Sequence, residues 1–106
     1  MSDWADKVPR KYRITFAVSA VQDLEAIRTW YADQQIPEVG ERLVGEVFSA
    51  VERLADFPKS GRIVPEFAIA HLREIIHPPF RIVYRVDKHC VRVIRVWRSE
   101  RDMKMP

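Results

Sequence analysis

The sequence predicts a small α+β domain with the order β-α-α-β-β-β, in which a helical hairpin packs on one face of a small antiparallel sheet. Three observations carry this. One strand-like run stands near the N-terminus, at Tyr12 to Val18. Two stretches with apolar residues at helical spacing follow it, with few residues between them. The last third holds three runs rich in β-branched and aromatic residues, separated by short turn-forming segments. Helices that follow one strand and precede three others cover one face of a sheet and leave the other to solvent or a partner.

Each element has a local reason. Residues 1–11 are polar and irregular apart from Trp4 and read as a loose leader. Tyr12 to Val18 alternates and is β-branched and aromatic, hence a strand. Ser19 with Gln22 three positions on reads as a capping box opening the first helix. Its buried stripe is Ala20, Leu24, Ile27 and Tyr31. Pro37 suits the first position of the second helix, where its missing N–H costs nothing. The stripe of that helix is Leu43, Val47, Val51 and Leu54, and Phe57-Pro58 ends it. Lys59 to Ala70 is a connector with Gly61 and Pro65 as turn formers. Strands are predicted at Leu72 to Ile76, Arg81 to Val86 and Cys90 to Trp97, with Asp87-Lys88-His89 as a short turn favouring antiparallel pairing. The last strand alternates imperfectly. A bulge near Val93–Ile94 repairs the pattern, and so does burial on both faces.

With 106 residues, the chain fits a single domain, 1–106, which buries roughly two-thirds of its unfolded surface. Its 47% apolar and 31% charged residues argue against disorder. The net charge of +3 is uneven: residues 1–59 hold 8 Lys/Arg and 10 Asp/Glu, whereas residues 60–106 hold 10 and 5. That asymmetry places a cationic working surface in the second half, for nucleic acid or an acidic protein segment; a solvated basic face is the plain alternative. The single cysteine, Cys90, excludes an internal disulfide and fits a reducing cytoplasm, with a buried inert thiol expected. No signal peptide or membrane span is read from the chain.

For chemistry, the informative residues are arginines. By strand alternation Ile82, Tyr84 and Val86 face the helices, while Arg81, Val83 and Arg85 face out. Arg73 on the preceding strand completes an expected guanidinium cluster with Arg81 and Arg85, extended by Arg98 and Arg101. Such forks grip phosphate or carboxylate at two points. Trp97 is read as a core aromatic or an interface residue, and Trp30-Tyr31 as core. Glu74, the acid well inside the later strands, reads as a structural ion-pair member rather than an acid catalyst. His71, His77 and His89 show no metal-ligand spacing, and no Gly-rich phosphate loop exists, so neither a metal nor a cofactor is expected.

Two segments carry a resemblance. Phe57-Pro58-Lys59-Ser60-Gly61-Arg62 ends the hairpin; Leu72-Arg73-Glu74-Ile75, Phe80-Arg81-Ile82-Val83-Tyr84-Arg85 and Val93-Ile94-Arg95-Val96-Trp97-Arg98-Ser99-Glu100-Arg101-Asp102 form the strands. Together, over residues 12–103, they resemble the RelE/ParE superfamily of toxins from type II toxin–antitoxin systems, closer to its ParE-like branch. The resemblance implies a cytoplasmic toxin of the plasmid-stabilization kind, neutralised in a hetero-oligomer by a cognate antitoxin. ParE-like members block DNA gyrase, and RelE-like members cut messenger RNA in the ribosome. Arg81 matches the arginine of the family's aromatic-Arg-x-Val-Tyr strand. The nuclease pattern thins elsewhere. The tail after Asp102 has no tyrosine, and Arg98 stands where many relatives carry histidine. Arg73 beside Glu74 replaces paired lysines. Arginine stays protonated and cannot serve as a general base. The expectation is a binding inhibitor of gyrase rather than an enzyme, with Arg73, Arg81, Arg85, Trp97, Arg98 and Arg101 as target-binding candidates. The alternatives are an mRNA endonuclease using Arg73, Arg81 and Arg98, or a degenerate toxin that only binds its antitoxin.

Overall fold

The computed structural model describes residues 11–99. Residues 1–10 of the expected leader, and Arg101, lie outside the described residues. The elements are β1 (Arg13–Phe16), α1 (Val18–Asp33), α2 (Pro37–Glu52) with a 3-10 turn at Arg53–Ala55, β2 (Arg62–Ile63), β3 (Leu72–His77), β4 (Phe80–Val86) and β5 (Cys90–Arg98). The predicted β-α-α-β-β-β order holds, with the two-residue β2 added inside the connector. The sheet order is β1-β5-β4-β3-β2. All neighbours are antiparallel except β1 and β5, which run parallel because the helical hairpin carries the chain across the sheet between them.

The helices form where the apolar stripes predict. Ala20, Leu24 and Tyr31 of α1 and Leu43, Val47 and Val51 of α2 are buried against Phe80, Ile82, Tyr84, Val91, Val93 and Val96 of the sheet. Pro37 sits in the first turn of α2, and Glu38 beside it complements the positive end of the helix dipole. Gly40 lets the two helices approach, since a Cβ there would stand 3.0 Å from Cβ of Tyr31. Trp30 departs from expectation. It is 53% exposed and meets buried Tyr31 edge-on, with ring centroids 4.8 Å apart.

Ser19 also departs. Ala17 is the N-cap of α1 and no side chain caps the helix. Ser19 instead donates its hydroxyl to the carbonyl of Ile94 at 2.6 Å. The register between β4 and β5 explains this: Val83 pairs with Arg95 and Tyr84 with Val93, so Ile94 is an extra, bulged residue. The bulge, one of the two arrangements left open by the sequence, keeps Val91, Val93 and Val96 on the helix side. Asp23 adds a second anchor by accepting the Val96 N–H at 2.8 Å. The edge of β5 beyond β1 is therefore satisfied by side chains of α1.

The far side of the sheet is not wholly open. Arg81 and Val83 of central β4 are buried on that side, at 7% and 3% exposure. The connector folds back toward them: Val64 is fully buried, and the carboxylate of Glu66 reaches Arg81.

Candidate functional site

Strand register decides which arginines meet. Cross-strand partners share a face, so Arg73 opposite Tyr84 looks to the helix side, while Glu74 opposite Val83 looks to the far side. The expected cluster of Arg73, Arg81 and Arg85 is thereby broken up. Alternation along each strand was read correctly, but the offset between strands is set by the turn at His77-Pro78-Pro79, which alternation does not encode.

Each candidate has a distinct setting. Arg73 donates to the carbonyl of Gly61 at 2.9 Å and of Lys59 at 3.4 Å, pinning the start of the connector. Arg81 donates from Nε to Glu74 at 2.8 Å and from both Nη atoms to Glu66 at 3.2 and 3.3 Å. Glu74 has no solvent exposure and also accepts from Nε of Arg62 at 2.6 Å. Burial weakens the Arg81 charge, but its hydrogen bonds to Glu66 and Glu74 outweigh burial and hold its pKa above the ordinary arginine value. Glu66 is pulled below the ordinary carboxylate value, first by its hydrogen bond from Arg81. This four-residue network neutralises Arg81 and holds it beneath the connector.

Arg85 is exposed on the far side and meets Asp87 at 3.3 Å. Trp97 shares that side, with its ring 4.6 Å from the Arg95 guanidinium. Arg95 itself forks onto Asp23 at 2.8 and 3.0 Å, and that pairing keeps it firmly protonated. Arg98, opposite Phe80, belongs to the helix side, where it donates to the hydroxyl of Tyr31 at 3.4 Å. Cys90 is half-buried with its sulfur 3.7 Å from Oγ1 of Thr15.

Sequence reading missed Arg92. It stands directly opposite Arg85, and Thr15 of β1 stands on its other side. Arg13 lies two residues further along β1 on the same face. The signal was present in Cys90-Val91-Arg92-Val93, where Arg92 alternates with two core valines.

Among the described residues, two groups able to move a proton, Tyr84 and His77, are engaged elsewhere. Tyr84 accepts from the Gly61 N–H at 2.9 Å and donates to the Pro58 carbonyl at 2.8 Å, and burial raises its pKa. His77 pairs with Glu46 at 3.1 Å across the α2 side, in a shallow groove with Arg42, Ser49 and Arg53. Among the described residues no three His, Cys, Asp or Glu side chains gather as a metal site, and no helix is long and apolar enough to cross a membrane.

A helical hairpin is thus laid on a five-stranded sheet whose C-terminal β-meander is rich in arginine. Solved structures share this arrangement, two of them from toxin–antitoxin systems. The chromosomal ParDE toxin–antitoxin system from P. aeruginosa matches with a TM-score of 0.70 at 22% identity, covering 83% of this chain and 96% of that one. The RelBE2 toxin–antitoxin complex from Mycobacterium tuberculosis matches with a TM-score of 0.63 at 20% identity, covering 83% and 98%. Toxin RelE2 of Caulobacter vibrioides is 32% identical over 90 residues, 84% of this chain and 97% of the relative. Residues 14–103 match the family described as the ParE toxin of the type II toxin–antitoxin system parDE, and the chain belongs to that family.

Proposed function

We propose that this toxin acts by binding DNA gyrase and blocking it, without chemistry of its own, and that a cognate antitoxin neutralises it. The observation that carries the reading is the state of three groups on the later strands, Glu74, Tyr84 and Arg98. Glu74 is buried between two arginines, both hydrogen bonds of the Tyr84 hydroxyl are spent on backbone, and Arg98 cannot accept a proton. A nuclease needs a group free to move a proton at the phosphate. A binding inhibitor needs charge and apolar contact area. Exposed Val18, Trp30 and Phe57 supply apolar area for a protein partner. That the ParDE and RelBE2 matches come from toxin–antitoxin systems supports an antitoxin as one such partner.

The test is supercoiling of relaxed plasmid by purified gyrase, which stops when the chain is added and resumes when the antitoxin is supplied. The relative named RelE2 favours a second reading, a ribosome-dependent mRNA endonuclease using Arg73, Arg81 and Arg98. Normal supercoiling together with cleavage of ribosome-bound message would establish that second reading and remove the first.

A further inference from the structure

Arg85 and Arg92 are direct cross-strand partners on the far face of the sheet. Like charges placed so destabilise a strand pair. Little on the protein offsets this. Among the described residues Arg85 meets only Asp87, two residues away and as exposed as itself, a contact of small worth. Arg92 has one long hydrogen bond, 3.4 Å, to the Thr15 hydroxyl, and no carboxylate of the described residues pairs with it or with exposed Arg13. Three guanidinium groups on three adjacent strands, β1, β5 and β4, thus form a cationic stripe that, among the described residues, only the exposed Asp87 contact offsets.

We infer that the Arg13–Arg92–Arg85 stripe is a docking surface for the phosphodiester backbone of duplex DNA. Charge complementarity sets the class of ligand, and the surroundings narrow it. The exposed large apolar side chains on this part of the molecule, Ile63, Phe67, Ile69 and Ile76, lie on β2, β3 and the segment between them and not on β1, β4 or β5, so an acidic peptide would find few anchors among the three arginines themselves. Single-stranded nucleic acid needs aromatic platforms for its bases, and Trp97 on this face is already stacked on Arg95. Duplex backbone needs only correctly spaced cations and hydroxyl donors, which the three arginines and Thr15 provide. The stripe is separate from the buried Arg81 network, and its role holds whichever machine the toxin poisons.

The experiment is fluorescence anisotropy of labelled duplex DNA of arbitrary sequence, titrated with the purified chain over a range of salt. Binding should weaken as salt rises. The slope of log affinity against log salt should shrink by about one for each of Arg13→Gln, Arg85→Gln and Arg92→Gln. Relieving like-charge crowding should leave the thermal midpoints of these single variants unchanged or slightly higher. Arg42→Gln, on α2, should bind as the parent does. An identical salt slope for the parent and all three stripe variants would overturn the proposal. So would tight binding of poly-glutamate or single-stranded RNA with none of duplex DNA.

Discussion

Arg81 and Glu74 form a buried ion pair, with the Arg81 Nε 2.8 Å from a carboxylate that solvent does not reach. The arginine that the sequence marks most strongly for function is thus also a structural member of the sheet. Removing one partner of such a pair leaves a buried charge uncompensated. Arg81→Ala should therefore cost about 3 kcal/mol, softened by the remaining Arg62 contact. Urea unfolding of the variant checks this. A loss under 1 kcal/mol would mean that the network contributes little to the fold, and the effect of Arg81 on toxicity would then be read directly.

The hydroxyl of Tyr84 holds the exit of the helical hairpin by bonding both Gly61 and Pro58. Tyr84→Phe strands the Gly61 N–H and should cost about 1–3 kcal/mol. Gly61→Ala should be comparably harmful, because a Cβ there would lie 2.5 Å from the Glu74 carbonyl and 2.6 Å from the Tyr84 hydroxyl. Thermal melts of the two variants measure both, and a neutral Gly61→Ala would show that the connector relaxes freely.

Acid should weaken the fold through two carboxylates, half-buried Glu46 and exposed Glu66. Glu46 is held below its ordinary value of 4.5 by hydrogen bonds from His77 and then Arg42, and Glu66 by its bond from Arg81. A carboxylate with a lowered folded pKa adds stability above its unfolded value and loses it as pH falls through the folded one. The urea midpoint should thus be flat just above pH 4.5 and drop below it. Glu66→Gln should make the drop shallower, and an unchanged acid limb in that variant would remove Glu66 from the account.

Asp23→Ala should free both the Arg95 guanidinium and the Val96 N–H, costing about 1–3 kcal/mol. Amide hydrogen exchange offers a direct check, since Val96 should lose protection while Tyr84, on the neighbouring strand, keeps it. Equal loss at both sites would mean that the variant unfolds globally instead.

Most of the architecture was legible in the chain. The two helical stripes and the turn at residues 87–89 need only local periodicity, and both helices and the β4–β5 hairpin lie where it puts them. Ser19 was misread because a hydroxyl at a helix start suits a cap equally well as a tertiary contact, and the contact with Ile94 spans 75 positions. The arginines were found, but their grouping was not. Arg73 and Arg81 sit on opposite faces because of inter-strand offset, and Arg81 is covered by a connector whose path depends on Val64 and Glu66. Arg92 went unremarked because its significance lies in its partner, Arg85, rather than in its own neighbourhood.

The anchoring of α1 on Ile94 and Val96 has a consequence for how other chains can join this sheet. A strand can extend a sheet only where backbone donors and acceptors are still unclaimed. Along the second half of β5 two of them, the Ile94 carbonyl and the Val96 N–H, are claimed by a serine and an aspartate, so an incoming segment would have to displace the helix there before it could pair. The outer margins that remain for a partner strand are β1 and β2, which lie at opposite ends of the sheet.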